Sequence, residues 1–493
     1  MRFISTRGKD SVINSAMAIA KGLADDGGLF VPERFPDLSK NIQDMLDMDY
    51  AERAALVLGS YLEEYDKEEL LSACKSAYAK FEDSDGAPVV RTDDKFYIME
   101  LFHGPTLAFK DVALTLLPYL LRKGCDISGI NEEVLILVAT SGDTGKAALE
   151  GFKDQKGIKI MVFFPSEGVS DMQKAQMCTQ EGDNVNVVAV KGNFDDCQTA
   201  VKKIFSSKEF NAQLKQKGVV LSSANSINFG RLAPQITYYF SAYCDLVSSG
   251  EIELGDKVNF VVPTGNFGNI LAGYYAKRMG LPVDKLVCAS NSNNVLTEFF
   301  VSGEYDANRE FFKTMSPSMD ILVSSNLERL IFELSDRNPD LTASRMNDLK
   351  KQGKYNVTGD ELDKLGEEFY ADFCDEEECL ATINDFYEEY GYVLDPHTAV
   401  AVKTAQSFLS FTDNTNATVV LSTASPYKFT QSVLKGLTDK TEKDAFRGAD
   451  KLYNLTAMPI PEQISMLKQK AKRFTTVIEK TETENAVKEF INK

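Results

Sequence analysis

The stretch Val134-Leu135-Ile136-Leu137-Val138-Ala139-Thr140-Ser141-Gly142-Asp143-Thr144-Gly145-Lys146 decides the fold class. Its apolar, partly β-branched run predicts a strand over 134–139 that is buried on both faces. A turn rich in glycine and hydroxyls follows, and a helical pattern begins at Lys146. The same unit recurs outward along the chain. Strands are expected over 158–164, over 186–190 (then Gly192-Asn193 and a helix from Asp195), and over 218–221 before a Ser/Asn loop. Another over 259–262 runs into Pro263-Thr264-Gly265-Asn266-Phe267-Gly268 and a helix, and two more lie over 286–289 and 417–421. Short apolar strands alternating with helices indicate an α/β fold with two parallel sheets, each covered on both faces. Ligands of such sheets bind at the carboxyl ends of the strands, which directs attention to the loops there.

The rest of the chain divides around this pattern. Residues 11–24 and 44–81 carry apolar residues at three- and four-residue spacing, the mark of helices, with Asp26-Gly27-Gly28-Leu29-Phe30-Val31-Pro32 between them as a turn and a short extended piece. The expected organisation is a mainly helical N-terminal part (1–95), a smaller α/β domain (96–240) and a larger one (241–493). The acidic segment 360–390 reads as a solvated, peripheral helix pair.

Composition narrows the function. A chain of 493 residues can bury a full core without disulfides or structural metals. Its formal charge of −19 argues against nucleic acid or an anionic membrane as the main partner, though not against a small anion held by local groups. With two histidines, His103 and His397, no multi-histidine metal centre can form, and no metal is expected. The eight cysteines include no CxxC pair. Even Cys374 and Cys379 read as reduced core thiols. Met1 to Asp10 has no apolar leader core, and the longest apolar stretch, 113–121, is too short to span a bilayer. The expectation is a soluble, cytoplasmic protein.

Five loops could carry chemistry. Gly265-Asn266-Phe267-Gly268-Asn269 opens a helix and suits a phosphate, although a structural βα turn reads equally well. Ser141 through Lys146 resembles the tail of a P-loop but has Thr140 and Ala147 where that motif needs Gly and Ser or Thr. What remains is a hydroxyl-rich loop suited to a carboxylate or phosphate. Ser222 through Arg231 ends in an arginine able to grip a phosphate bidentately, or simply to form a surface ion pair. In His103-Gly104-Pro105-Thr106-Leu107-Ala108-Phe109-Lys110-Asp111 the lysine lies among apolar neighbours, a setting that makes a nucleophile if it is buried. Ser422-Thr423-Ala424-Ser425-Pro426 ends the last strand with hydroxyls. Together, anion loops, one desolvated lysine and no metal suit a lysine-bound phosphorylated cofactor, and pyridoxal 5'-phosphate fits.

At these residues the chain resembles the threonine synthase family, fold-type-II pyridoxal-phosphate lyases with a tryptophan synthase β-like fold. The resemblance extends through Ser5-Thr6-Arg7-Gly8, Gly27 through Pro32, Asn225 through Arg231 and Asp395-Pro396-His397-Thr398-Ala399, and so covers nearly the whole chain. It is to the longer bacterial and fungal form. It implies two α/β domains with the cofactor in the cleft between them, and Lys110 as the Schiff-base lysine. Gly265, Asn266, Phe267, Gly268 and Asn269 would cradle the cofactor phosphate, and Thr423 would meet the ring nitrogen. Asp143 would face the cofactor's 3-hydroxyl, where sister families that make cysteine carry Asn. Ser141 and Thr144 would face the substrate, and Asn225, Ser226 and Arg231 its phosphate. The implied reaction converts O-phospho-L-homoserine and water to L-threonine and phosphate, by γ-elimination and β-addition of water. His103 is expected to line the cleft, and His397 to be structural. By analogy the chain is a monomer, with a dimer as the alternative. Competing readings are a threonine dehydratase or cysteine synthase-like lyase, which would need no Arg231 phosphate site, a nucleotide-binding α/β protein, and a catalytically dead homologue.

Overall fold

A computed structural model describes residues 1–167 and 169–492. All seven expected strands form: Glu133–Ala139, Ile158–Pro165, Val185–Lys191, Val219–Ser222, Val258–Pro263, Val283–Ser290 and Ala417–Ser422. They are divided between two sheets. The five-stranded sheet is parallel throughout, in the order 477–479, 185–191, 158–165, 133–139, 219–222. The six-stranded sheet has the order 369–373, 283–290, 258–263, 417–422, 96–100, 89–93, and only its last strand is antiparallel. The two-residue period explains the continuous apolar runs. Ile136 and Val138 join the large shared core, while Leu135 and Leu137 face a second cluster on the other side of the sheet. Phe260 and Val262 likewise face the shared core and Val261 an outer one.

Two strands that the sequence did not announce redraw the segment boundaries. Phe96–Glu100 pairs with Ala417–Ser422 in the larger sheet, and Val477–Glu479 pairs with Val185–Lys191 in the smaller. Sheet membership therefore crosses both 95/96 and 240/241. These pairings join residues about three hundred positions apart, and local pattern carries no trace of them.

The N-terminal part contains the expected helices as Ser15–Lys21, Tyr50–Gly59 and Lys67–Tyr78, together with a three-stranded antiparallel sheet of Arg2–Ser5, Ile13–Asn14 and Phe30–Pro32. The acidic segment forms helices Gly359–Glu368 and Glu376–Tyr390, each opened by a capping box. Between them, however, the aromatic run Phe369–Phe373 is the edge strand of the larger sheet, which corrects the purely helical expectation. All eight cysteines are free and buried. Among the described residues no cluster could hold a metal, and no helix is long and apolar enough to cross a membrane.

One helix holds the parts together. Phe229–Ser248 is almost wholly buried, with neighbours on every side, and buried polar side chains, Arg231 and Gln235 among them, interrupt its apolar surface. It packs against Tyr50–Gly59, Lys110–Leu114 and Gly268–Arg278. Its first turn carries Arg231.

Candidate active site

The carboxyl end of Ala417–Ser422 fixes the loop that delivers Lys110. The Phe109 N–H donates to the Thr423 carbonyl (2.9 Å), and the Ser425 N–H to the Leu107 carbonyl (3.1 Å). Leu107 adopts a left-handed φ of 61° to make this turn. Gly104 lies so close to Asp111 that a Cβ there would meet the Asp111 Cβ at 2.5 Å. Lys110 then opens the short helix Lys110–Leu114 with its side chain 12% exposed. Its Nζ donates to Ser318 Oγ (3.2 Å) and lies 3.6 Å from Asp143 Oδ2. Burial pushes the Lys110 ammonium pKa down. Asp143 opposes that shift, and the positive charges of Lys428 and Arg231 add to it.

Asp143 is the hub of the site. Its Oδ1 accepts from Lys428 Nζ and Gln173 Nε2, each at 2.8 Å, and its Oδ2 from Ser318 Oγ at 3.2 Å. Burial alone would raise its pKa, but Lys428 and Lys110 outweigh burial and hold the carboxyl well below its ordinary range. Lys428 is fully buried and also donates to the Thr106 carbonyl (2.8 Å). Ser318 is braced from behind, because its backbone N–H donates to His397 Nε2 (3.2 Å). With Nε2 accepting, the imidazole carries its proton on Nδ1, directed at Asp395 Oδ1 (2.7 Å).

The 265–269 loop faces the same space. Phe267 stands at φ 61°, just before the helix Gly268–Arg278 begins. Gly265 admits no side chain, since a Cβ would lie 2.8 Å from the Ser318 carbonyl oxygen. Ser324 Oγ donates to the Gly265 carbonyl (2.7 Å), and Asn326 donates from N (3.1 Å) and Nδ2 (3.0 Å) to the Asn266 carbonyl. Arg329, fully buried, anchors Asn326 Oδ1 (2.5 Å) and also donates to the carbonyls of Ile227 (2.7 Å) and Phe30 (3.1 Å). One guanidinium thus ties the 265–269 loop, the 222–231 loop and the N-terminal part together. Burial pushes its pKa down to about 10.

In the third loop Asn228 caps the long helix, and Arg231 Nη1 donates to the Ala224 carbonyl (2.6 Å). The Arg231 Nε is buried without a partner, and burial pushes the guanidinium pKa down to about 10. Ser226, half-buried beside Asn225, has its Cβ 3.7 Å from where a Gly268 Cβ would stand. The structure therefore brings Lys110, Asp143, the 265–269 loop, Thr423, Ser226 and Arg231 to one cleft, with Ser141 and Thr144 flanking Asp143. His103 instead bonds Glu100 Oε2 (2.7 Å) and stacks on Phe102. Glu100 pushes its pKa up against the effect of burial. Ser318, Lys428, Gln173 and Arg329 were not expected at the site, and His397, expected to be structural, braces Ser318. The capping pattern of Asp395-Pro396-His397 was the one available signal. Ser318 and Lys428 sit in short turns that have no periodicity to read.

The residues present fit a phosphorylated aldehyde. Gly265 leaves room for close approach, and the helix N-terminus at Gly268 supplies N–H groups and a favourable dipole. Asn269 Nδ2, on that loop, is a buried donor that still lacks an acceptor. Lys110 is desolvated, as an amine that condenses with an aldehyde must be.

The comparisons with known proteins agree. Residues 2–78 match the family described as threonine synthase N terminus, 87–423 that described as pyridoxal-phosphate dependent enzyme, and 398–491 that described as threonine synthase, C-terminal. The chain is 44% identical over 432 residues to threonine synthase-like 1 of Homo sapiens, covering 85% of this chain and 57% of that protein. It is 38% identical to threonine synthase of Schizosaccharomyces pombe, covering 93% of this chain and 92% of that one. The crystal structure of PLP-bound threonine synthase from Brucella melitensis superposes with a TM-score of 0.88 at 37% identity, covering 99% of both chains. This chain spans little more than half the length of the mammalian relatives it matches. It belongs to the threonine synthase family of pyridoxal-phosphate-dependent enzymes.

Proposed function

We propose that the chain converts O-phospho-L-homoserine and water to L-threonine and phosphate, as a cytoplasmic enzyme with that small molecule as its partner. The observation that carries this reading is Arg231, a buried guanidinium with a free Nε, near enough to Lys110 for its charge to bear on the amine. A lyase acting on an unphosphorylated amino acid has no use for a second anion site there. Eight free, buried thiols support a reducing compartment.

In this reading Lys110 holds the cofactor aldehyde, the 265–269 loop its phosphate, and Thr423 its ring nitrogen, while Asp143 faces its 3-hydroxyl. When bound, pyridoxal phosphate supplies an electron sink that acidifies the α and β C–H bonds of an amino acid. Lys110 Nζ, once released, moves protons at those two carbons. Its lowered pKa supports this role, because a neutral amine is the base required. Arg231, with Asn225 and Ser226, takes up the charge of the departing phosphate. Ser141 and Thr144 hold the substrate. Burial of Asp143, Lys428 and Arg231 supports exclusion of stray water until the water that adds at the β carbon is admitted.

The test is phosphate release from O-phosphohomoserine with equal formation of threonine. Rapid deamination of serine or threonine with inert phosphohomoserine would favour the dehydratase instead.

A further inference from the structure

A polar cavity of about 370 Å³ lies outside the cleft, where the N-terminal part, the helix Asp171–Cys178 and the C-terminal 462–470 segment meet. None of the residues facing Lys110 lines it. Its wall holds an unusual surplus of acceptors. The amide Oε1 of Gln176, in a side chain only 2% exposed, has no hydrogen-bond partner, and neither has Oε1 of Gln463. Native proteins rarely leave such atoms unsatisfied, and two lining one cavity call for a donor. The charges there are also incompletely matched. Lys146 is paired with Glu150 (2.9 Å) and Lys470 with Glu181 (3.4 Å), but Lys80 and Glu462 have no ion-pair partner among the described residues. Pro105, Met466 and Leu467 supply an apolar strip.

We propose that this cavity is an effector site for a free aliphatic L-α-amino acid. Its ammonium meets the Gln176 and Gln463 amide oxygens and Glu462, its carboxylate meets Lys80, and its side chain lies on the apolar strip. Two helices connect this site to the cleft. Gln173 donates to Asp143, and Gln176, one turn on, lines the cavity. Asp143 pairs with Lys428 beside Lys110, and Lys146, one turn on, lines the cavity. Each helix therefore presents successive turns to both sites, so a ligand that shifts either helix repositions Asp143.

The experiment is calorimetric titration of the cofactor-loaded protein with L-valine, L-leucine, L-isoleucine and L-methionine, each against its D-enantiomer. At least one L-form is expected to bind one per chain with a Kd of about 1 mM or tighter. Gln176→Met and Lys80→Met are each expected to weaken it at least about tenfold while leaving basal phosphate release unchanged. Saturation is expected to change the rate of that release at least about twofold. Absence of binding, binding that survives both substitutions, or a rate indifferent to saturation overturns the proposal. Lys80 is exposed, so its variant guards against misfolding at Gln176. If the protein releases no phosphate at all, the proposed reaction fails, while the calorimetric arm still decides whether the site exists.

Discussion

Lys428 Nζ lies 2.8 Å from Asp143 Oδ1, in a pair that is buried on both sides and shared with the lysine at the centre of the cleft. Removing one partner of such a pair leaves an uncompensated buried charge, which costs about 3–5 kcal/mol. Lys428→Met is therefore expected to lower unfolding stability by about that amount in denaturant titration. The same substitution removes a positive charge that depresses the Lys110 pKa, so Lys110 should hold its proton to higher pH. The rate at which apoprotein takes up pyridoxal phosphate, which needs neutral Lys110, should rise with pH to a plateau in the parent protein, and the rise should shift upward in the variant. An unshifted profile would separate Lys428 from the chemistry.

The depressed pKa of Asp143 has a definite sign. Its contribution to stability is present above the ordinary carboxylate range and disappears as pH falls through the folded-state value. Acid unfolding of the apoprotein should therefore begin at higher pH than the same curve with Asp143→Asn and Lys428→Met combined, a pair from which this linkage is absent.

Gly265→Ala places a methyl group 2.8 Å from the Ser318 carbonyl oxygen, a backbone atom that cannot rotate away. The loop or the Ser318 turn must shift, and the site depends on both. Cofactor affinity, measured by equilibrium dialysis, should fall at least about tenfold, with circular dichroism unchanged.

Arg231→Met tests the substrate anion site. Losing a charge-assisted hydrogen bond costs about 1.5–3 kcal/mol, or roughly 10–150-fold in kcat/KM for the phosphorylated substrate. Inorganic phosphate should lose potency as an inhibitor in step. The visible cofactor spectrum should be retained, because the 265–269 loop is untouched.

His397→Ala removes the acceptor of the Ser318 N–H and one of the donors to Asp395. The expected cost is about 1–3 kcal/mol of stability, with cofactor still bound and kcat reduced. His397→Gln, which restores an acceptor, should recover part of both.

The sequence was most legible where physics is local. All seven strands expected from apolar runs formed, because a strand buried on both faces must be apolar throughout. Asp143 and the 265–269 loop stood out in the sequence because each follows an expected strand and opens a helix, and Lys110 because it lies among apolar neighbours. Phe96–Glu100 and Val477–Glu479 were assigned to no sheet in advance, since their partners are distant in sequence. Phe369–Phe373 was hidden between acidic helices. Lys428 carried no motif of its own, and only tertiary packing turns it toward Asp143. Arg329 gave no signal, for its bonds to three separate segments exist only once all three have met.

The strand Val477–Glu479 also dictates when the cleft can be assembled during synthesis. The smaller sheet begins with residue 133, yet its edge is completed by a strand, Val477–Glu479, that leaves the ribosome only after the rest of the sheet. The larger sheet, one edge of which is the strand Val89–Asp93, opens before the smaller and is interrupted by it. Neither half can finish co-translationally as an independent unit, as consecutive domains commonly do. The edge at 185–191 therefore stays unpaired in the nascent chain until residues 477–479 have emerged.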